Sequence, residues 1–266
     1  MKLCFSTLGC HDLVLDRILD LANKYGIEAI EVRGINNELD NEKIDDFKLH
    51  NAQLTMEKFK SHNVDLYSLG TSCSFHDPNT RKQKIEKGFR EIHIANSLNV
   101  TNIRVFGNNI LDSKEISTNL VIDGLKTMCE YALPYDVTVL LEVHGDFNSI
   151  DTLTPIVNSL KEYTNFGLIW DIYHTHSTHK NDWDKFYDTF KGYIKHIHIK
   201  DSIGNKLVLP GDGEIEFTKI VNYVLNKGYD GYFSLEWERK WNPELPSLEE
   251  ALNKYVDILK SCGEPK

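Results

Sequence analysis

Along most of the chain, short runs in which apolar and polar residues alternate are separated by longer runs in which apolar residues recur every three or four positions. Alternation marks a strand with one buried face, and the longer period marks an amphipathic helix. The most informative alternating run is Ile194-Lys195-His196-Ile197-His198-Ile199-Lys200. Ile197 and Ile199 share one face; His196, His198 and Lys200 share the other. The apolar face must pack on helices, which turns the polar face toward an interior. Imidazoles there suit metal ligation, or are simply hydrogen-bonded on a half-buried strand.

The other elements follow from the same reading. Strands are expected over Lys2–Ser6, Ile27–Arg33, Val64–Leu69, Asn102–Phe106, Val137–Val143, Phe166–Asp171, Ile194–Lys200 and Gly231–Trp237. Helices are expected over Asp12–Tyr25 (stopped by Gly26), about Asn41–His62, from Asp77-Pro78-Asn79-Thr80 to near Leu98, Ser113–Leu133, Ser149–Tyr163, Asp182–Phe190, about Phe217–Lys227 and Leu248–Leu259. Asp201–Glu214 reads as a loop. Its segment Leu209-Pro210-Gly211-Asp212-Gly213 is either a mobile closure over a site or an ordinary tight turn.

Strand and helix thus alternate about eight times, the pattern of a (β/α)8 TIM barrel in one domain spanning residues 1–266. A doubly wound sheet also alternates, but the first turn, Ser6–His11, has no GxGxxG. The length of 266 residues suits one such domain, and 41% apolar residues suffice for its core. A net charge of −10 argues against a nucleic-acid partner, since phosphate backbones call for basic surface. Five widely spaced cysteines without CxxC fit a reducing, cytoplasmic setting. No run of about eighteen apolar residues suggests a membrane span, and the N-terminus lacks a signal-peptide pattern.

In a barrel the chemistry gathers at the carboxyl ends of the strands. Strand five turns Thr138, Leu140, Glu142 and His144 inward. Strand six ends at Asp171, and His174, three residues on, can curl back over the mouth. Strand seven brings His198 and Lys200, and strand eight turns Ser234 and Glu236 inward. Glu142, Asp171, His198 and Glu236 then face one another at one level. Three acids so close call for a cation. One imidazole among oxygens suits Mn²⁺ or Mg²⁺, with Co²⁺ and Zn²⁺ also compatible. For Glu142 the structural alternative is an ion pair with Lys200 or Arg104. Trp170 and Trp237 point away from the lumen and read as core.

At these residues the chain resembles the sugar phosphate isomerase/epimerase family, the xylose isomerase-like barrels. The resemblance rests on IEAIEVRG, NIRVFGN, LLEVHGD, WDIYH, HIHIKD, LPGDGEIEF and YFSLEWE, in that order along nearly the whole chain. It implies that Glu142, Asp171, His198 and Glu236 hold one divalent metal ion, as in the ketose 3-epimerase branch. It implies further that Glu142 and Glu236 handle the substrate proton, and that His174 touches a substrate hydroxyl. Homo-oligomers are common in such a family. The apurinic-site endonucleases of the same superfamily carry more histidines; here the third strand ends Tyr67-Ser68-Leu69 and the fourth Phe106-Gly107, so their three-metal site is incomplete.

The reaction expected is isomerisation or epimerisation of a small sugar, ketose or sugar phosphate, by proton transfer through an ene-diolate. A dehydratase of the inosose or dehydroshikimate type would share the first step. Glu142 and Glu236 are the candidate catalytic residues. His174 and His144 would orient hydroxyls, with a structural role equally open for His144. Arg104 and Lys200 either hold a substrate phosphate or carboxylate, or pair with Glu31 or the metal carboxylates.

Overall fold

The structure, a computed structural model, describes residues 1–179 and 182–262; the remaining six positions of the expected 1–266 domain lie outside the described residues. Eight parallel strands close into a barrel: β1 (Lys2–Ser6), β2 (Ala29–Val32), β3 (Asp65–Ser74), β4 (Asn102–Phe106), β5 (Thr138–Glu142), β6 (Phe166–Asp171), β7 (Ile194–Ile199) and β10 (Tyr232–Leu235). Around the ring the order is β1-β10-β7-β6-β5-β4-β3-β2. This is the (β/α)8 barrel that the alternation of periods requires.

Helices clothe the outside: α1 (Leu15–Tyr25), α2 (Ala52–Ser61), α3 (Arg81–Ser97), α4 (Lys114–Ala132), α5 (Ile150–Leu160), α6 (Ile172–His179), α7 (Trp183–Phe190), α8 (Phe217–Asn226) and α9 (Leu248–Lys260). Gly26 ends α1 at φ +65°, a conformation that glycine adopts without a Cβ penalty. The hydroxyls of Ser113, Ser149 and Ser247 accept from backbone amides and start α4, α5 and α9. Each such cap contributes about 1 kcal/mol.

The main core lies between the strands' outward faces and the helices. On β5, Val139 and Leu141 are fully buried there. Trp170 and Trp237 are buried as well, and each satisfies its indole N–H, on Thr175 Oγ1 and on the Pro246 carbonyl.

Several boundaries differ from the sequence expectation. The helix expected over 41–62 is helical only from Ala52; before it come two 3-10 turns, Asn41–Lys43 and Asp45–Phe47. Asn41 is the reason: it is buried, and its amide donates to Glu91 Oε2 rather than facing solvent on a helix. β3 runs on to Ser74, its register with β4 shifting between Gly70 and Ser74. The expected loop after β7 contains a hairpin, β8 (Asp201–Ile203) with β9 (Lys206–Val208), turned at Gly204 with φ +56°. α6 starts directly at the tip of β6, where Asp171 Oδ1 accepts from the His174 amide.

Candidate active site

Strand register sets the site. Asp171 on β6 pairs with His198 on β7, and His198 pairs with Ser234 on β10. Glu142 ends β5, and Glu236 follows β10, its amide donating to the Ile199 carbonyl. One ligand atom each from Glu142, Asp171, His198 and Glu236 lies within 4.8 Å of the others, and all four residues are buried. The four residues singled out in the sequence therefore converge.

Two cations stand among them. Arg104 Nη1 lies 3.0 Å from Glu142 Oε2 and 3.2 Å from Glu236 Oε1. Lys200 Nζ lies 2.8 Å from Asp171 Oδ2, 2.5 Å from Glu236 Oε2 and 2.6 Å from Glu238 Oε1. Of the two roles open to Arg104 and Lys200 in the sequence, the structure displays pairing with the carboxylates. Neither contacts Glu31 as an ion pair. Glu31 instead accepts from Ser234 Oγ and faces the Nε2 atoms of His198 and His196.

The surroundings push the titrating groups apart. Burial, and then the charge of Glu236, raise the Glu142 pKa to about 7 against Arg104. Glu236 is held well below the usual range although burial opposes it, because Lys200 and His198 favour its charged form. Burial disfavours a charged His198, yet Glu31 and Glu236 raise its pKa well above that of a free imidazole. Glu31, and Glu236 from the set that would hold a cation, thus draw His198 toward the charged form.

The donor atoms themselves test whether a divalent ion suits this set. His198 Nδ1 is buried without a hydrogen bond, and Glu142 Oε2 and Asp171 Oδ2 also lack a well-directed one, although Arg104 and Lys200 stand beside them as ion pairs. Such atoms are costly unless a cation completes them. Among the described residues, Glu31, Glu142, Asp171, Glu236 and Glu238 form one ion-pair network in which Arg104 and Lys200 are the permanent cations in direct contact, with the Arg33 guanidinium close enough to feel Glu142 and Glu236. Both the gathering of acids and the unpartnered Nδ1 of His198 fit a bound divalent cation.

His174 and His144 line the same mouth with ring centroids 4.3 Å apart. Burial lowers both pKa values, that of His174 to about 4, so both rings are neutral at pH 7. His174 Nε2 and His144 Nδ1 are buried without a protein hydrogen-bond partner. They are free to meet hydroxyls. Beside the mouth, a cavity of about 1140 Å³ opens between the hairpin and the segment after β10. Tyr173 and Glu238 line it, and both also contact Lys200.

The sequence reading missed Glu238 and Tyr173 as mouth residues, and it did not name His198 and Ser234 as the neighbours of Glu31. The signal for Glu31 was present, since it alternates inward between Ile30 and Val32. Its partners depend on which strand lies across the barrel, which periodicity does not give. The loop left open between a mobile segment and a tight turn is tied down. Asp201 accepts from the amides of Ser202, Gly211, Gly213 and Ile215.

A family model described as xylose isomerase-like TIM barrel matches residues 19–262. The inosose isomerase of Halalkalibacterium halodurans is 28% identical over 285 residues, covering 97% of this chain and 94% of that protein. The crystal structure of the IOLI protein with a bound zinc atom superposes with a TM-score of 0.81 at 23% identity, covering 100% of both chains. The probable 3-DHS dehydratase AsbF of Bacillus anthracis gives a TM-score of 0.81 at 16% identity, covering 98% of this chain and 99% of that one.

Proposed function

We propose that this chain, which belongs to the xylose isomerase-like TIM-barrel family, is a divalent-metal-dependent isomerase or epimerase acting on a keto-polyol of the inosose kind. The observation that carries the reading is the meeting of Glu142 and Glu236, from strands three places apart in the ring's order, over one set of buried ligand atoms with Asp171 and His198. The likeness to an inosose isomerase along nearly the whole chain supports the substrate class. The zinc atom of the IOLI protein supports an ion of this type.

Glu142, Asp171, His198 and Glu236 would hold the ion, which when bound supplies Lewis-acid polarisation of the substrate carbonyl. The chain's own residues do the rest. A carboxylate on one side of the carbon next to the carbonyl takes its proton, and a carboxylate on the other side returns one. Glu142 and Glu236 would take those roles, each worth roughly 10²–10⁴ in rate. Arg104 holds the two acids at a fixed separation, and Lys200 keeps Asp171 and Glu236 aligned. His174 and His144 present neutral imidazoles to substrate hydroxyls, which fixes the ring's orientation.

Arg104 and Lys200 are engaged by carboxylates, so an uncharged substrate suits the mouth better than a sugar phosphate. The test is a panel of inososes, ketoses and ketose phosphates in D₂O with Mn²⁺ or Zn²⁺, followed by NMR. Deuterium entering the carbon beside the carbonyl, with an isomer forming, supports the reading. Loss of a hydroxyl would make the protein a dehydratase, and preference for phosphorylated sugars would overturn the substrate class.

A further inference from the structure

On the far side of His198 from its candidate metal partners lies a second buried carboxylate. Glu31, on β2, is only 3% exposed. His198 Nε2 lies 2.9 Å from Glu31 Oε1 and 3.1 Å from Oε2. The Ser234 hydroxyl donates to Glu31 Oε1 at 2.8 Å, and His196 Nε2 stands 3.3 Å from Oε2. Between β2 and β10 runs β1, whose residue in register with Ser234 is the small Cys4, so Glu31 can reach across to that level.

We infer that Glu31 is the positioning residue of the metal site: it fixes His198 with its proton on Nε2 and leaves Nδ1 as the ligand atom. An ionised carboxylate can only accept hydrogen bonds, so the ring nitrogen facing it carries the hydrogen. Once the second ring proton is given up to a metal ion, the imidazole has its one lone pair on Nδ1. That atom is buried, unpartnered, 3.4 Å from Glu236 Oε2 and 4.0 Å from Asp171 Oδ2. A lone pair directed at two acids is repulsive unless a cation stands between them. A carboxylate behind a ligating imidazole also increases its donor strength.

Glu31, His196 and His198 themselves gather closely enough to suggest a second ion. The distances speak for a hydrogen-bonded clamp instead. The Ser234 hydroxyl occupies one oxygen, and 2.9 Å is the spacing of a direct N–H to carboxylate bond. His196 is packed against Tyr67, with ring centroids 4.7 Å apart, and stands one step deeper in the barrel without a well-directed bond to the clamp.

This inference rests on the metal site proposed above, and one experiment separates the two. The full chain, labelled with ¹⁵N-histidine, is loaded with ¹¹³Cd²⁺ and read by long-range ¹H–¹⁵N NMR. The expected result is one histidine, absent in His198→Gln, with cadmium coupled to Nδ1 and a proton on Nε2. Coupling to Nε2 overturns the inference while leaving the metal site standing. A wild-type chain that binds neither cadmium nor zinc overturns both. In chelator competition, Glu31→Gln is expected to weaken metal binding by about 10–100-fold, with the metal-free unfolding midpoint as the control for fold. An affinity within threefold of wild type overturns the positioning role. Should Glu31→Gln fail to fold, the wild-type coupling pattern alone decides.

Discussion

Glu142 and Glu236 reach the same guanidinium nitrogen: Arg104 Nη1 lies 3.0 Å from an oxygen of the first and 3.2 Å from an oxygen of the second. Two buried acids so close would repel, and the shared cation offsets that repulsion. Glu142→Gln and Glu236→Gln keep the side-chain shape and remove the proton acceptor. Each is expected to lower kcat by roughly 10²–10⁴, and also to lower the urea unfolding midpoint, because a buried ion pair with Arg104 loses its acid. Full turnover in both variants would remove the proton-transfer roles.

Lys200 shares oxygens with the candidate ion, and this gives a test by stability. Its ammonium contacts Asp171, Glu236 and Glu238. Removing one partner of a buried ion pair costs about 3–5 kcal/mol. Lys200→Met is therefore expected to lower the Tm of chelator-treated protein. Added Zn²⁺ or Mn²⁺ is expected to raise the variant's Tm more than the wild type's. An equal rise in both proteins would mean that ammonium and metal act independently.

Glu91 on α3 provides a pH test away from the mouth. It is buried, accepts from Asn41 Nδ2 at 2.9 Å, and burial raises its pKa to about 7 against that bond and Lys87. The unfolded chain releases this proton near 4.5 and the folded protein near 7. Between these values the folded state holds the extra proton, so stability falls as pH rises through the window and the loss is complete above it. Glu91→Gln lacks this titration. Its stability relative to wild type is expected to rise by on the order of 1–3 kcal/mol between pH 4.5 and 8. Urea unfolding at the two ends of that range measures it, and a flat difference would count against the assignment.

The segment after the hairpin owes its order to one carboxylate. Asp201 accepts from four backbone amides, and a Cβ on Gly213 would come within 2.1 Å of its Oδ1. Asp201→Ala is expected to speed hydrogen exchange at Gly211, Gly213 and Ile215 and to cost about 1–3 kcal/mol. Unchanged exchange at those amides would mean that the loop is held by its other contacts.

The barrel was legible because its strands and helices carry different periods, and Val139, Leu141 and Ile197 face the helices as alternation requires. The three acids and the imidazole were legible because strand-end residues of a barrel share one mouth. What periodicity could not supply was the partner across the lumen. Arg104 from β4 reaching Glu236 after β10, and Glu31 from β2 reaching His198 on β7, depend on ring closure and side-chain length. Short local choices were also hidden. The buried amide of Asn41 delayed the start of one expected helix to Ala52, and the Gly204 turn made a hairpin from an expected loop.

The central claim is that these converging acids move a proton on carbon. The direct measurement is NMR-detected deuterium uptake by an inosose in D₂O, with metal-loaded wild type and Glu142→Gln side by side. The account predicts rapid exchange at the carbon beside the carbonyl with wild type, and exchange at least a hundredfold slower with the variant. No exchange by the metal-loaded wild type, or equal exchange by both proteins, would contradict it.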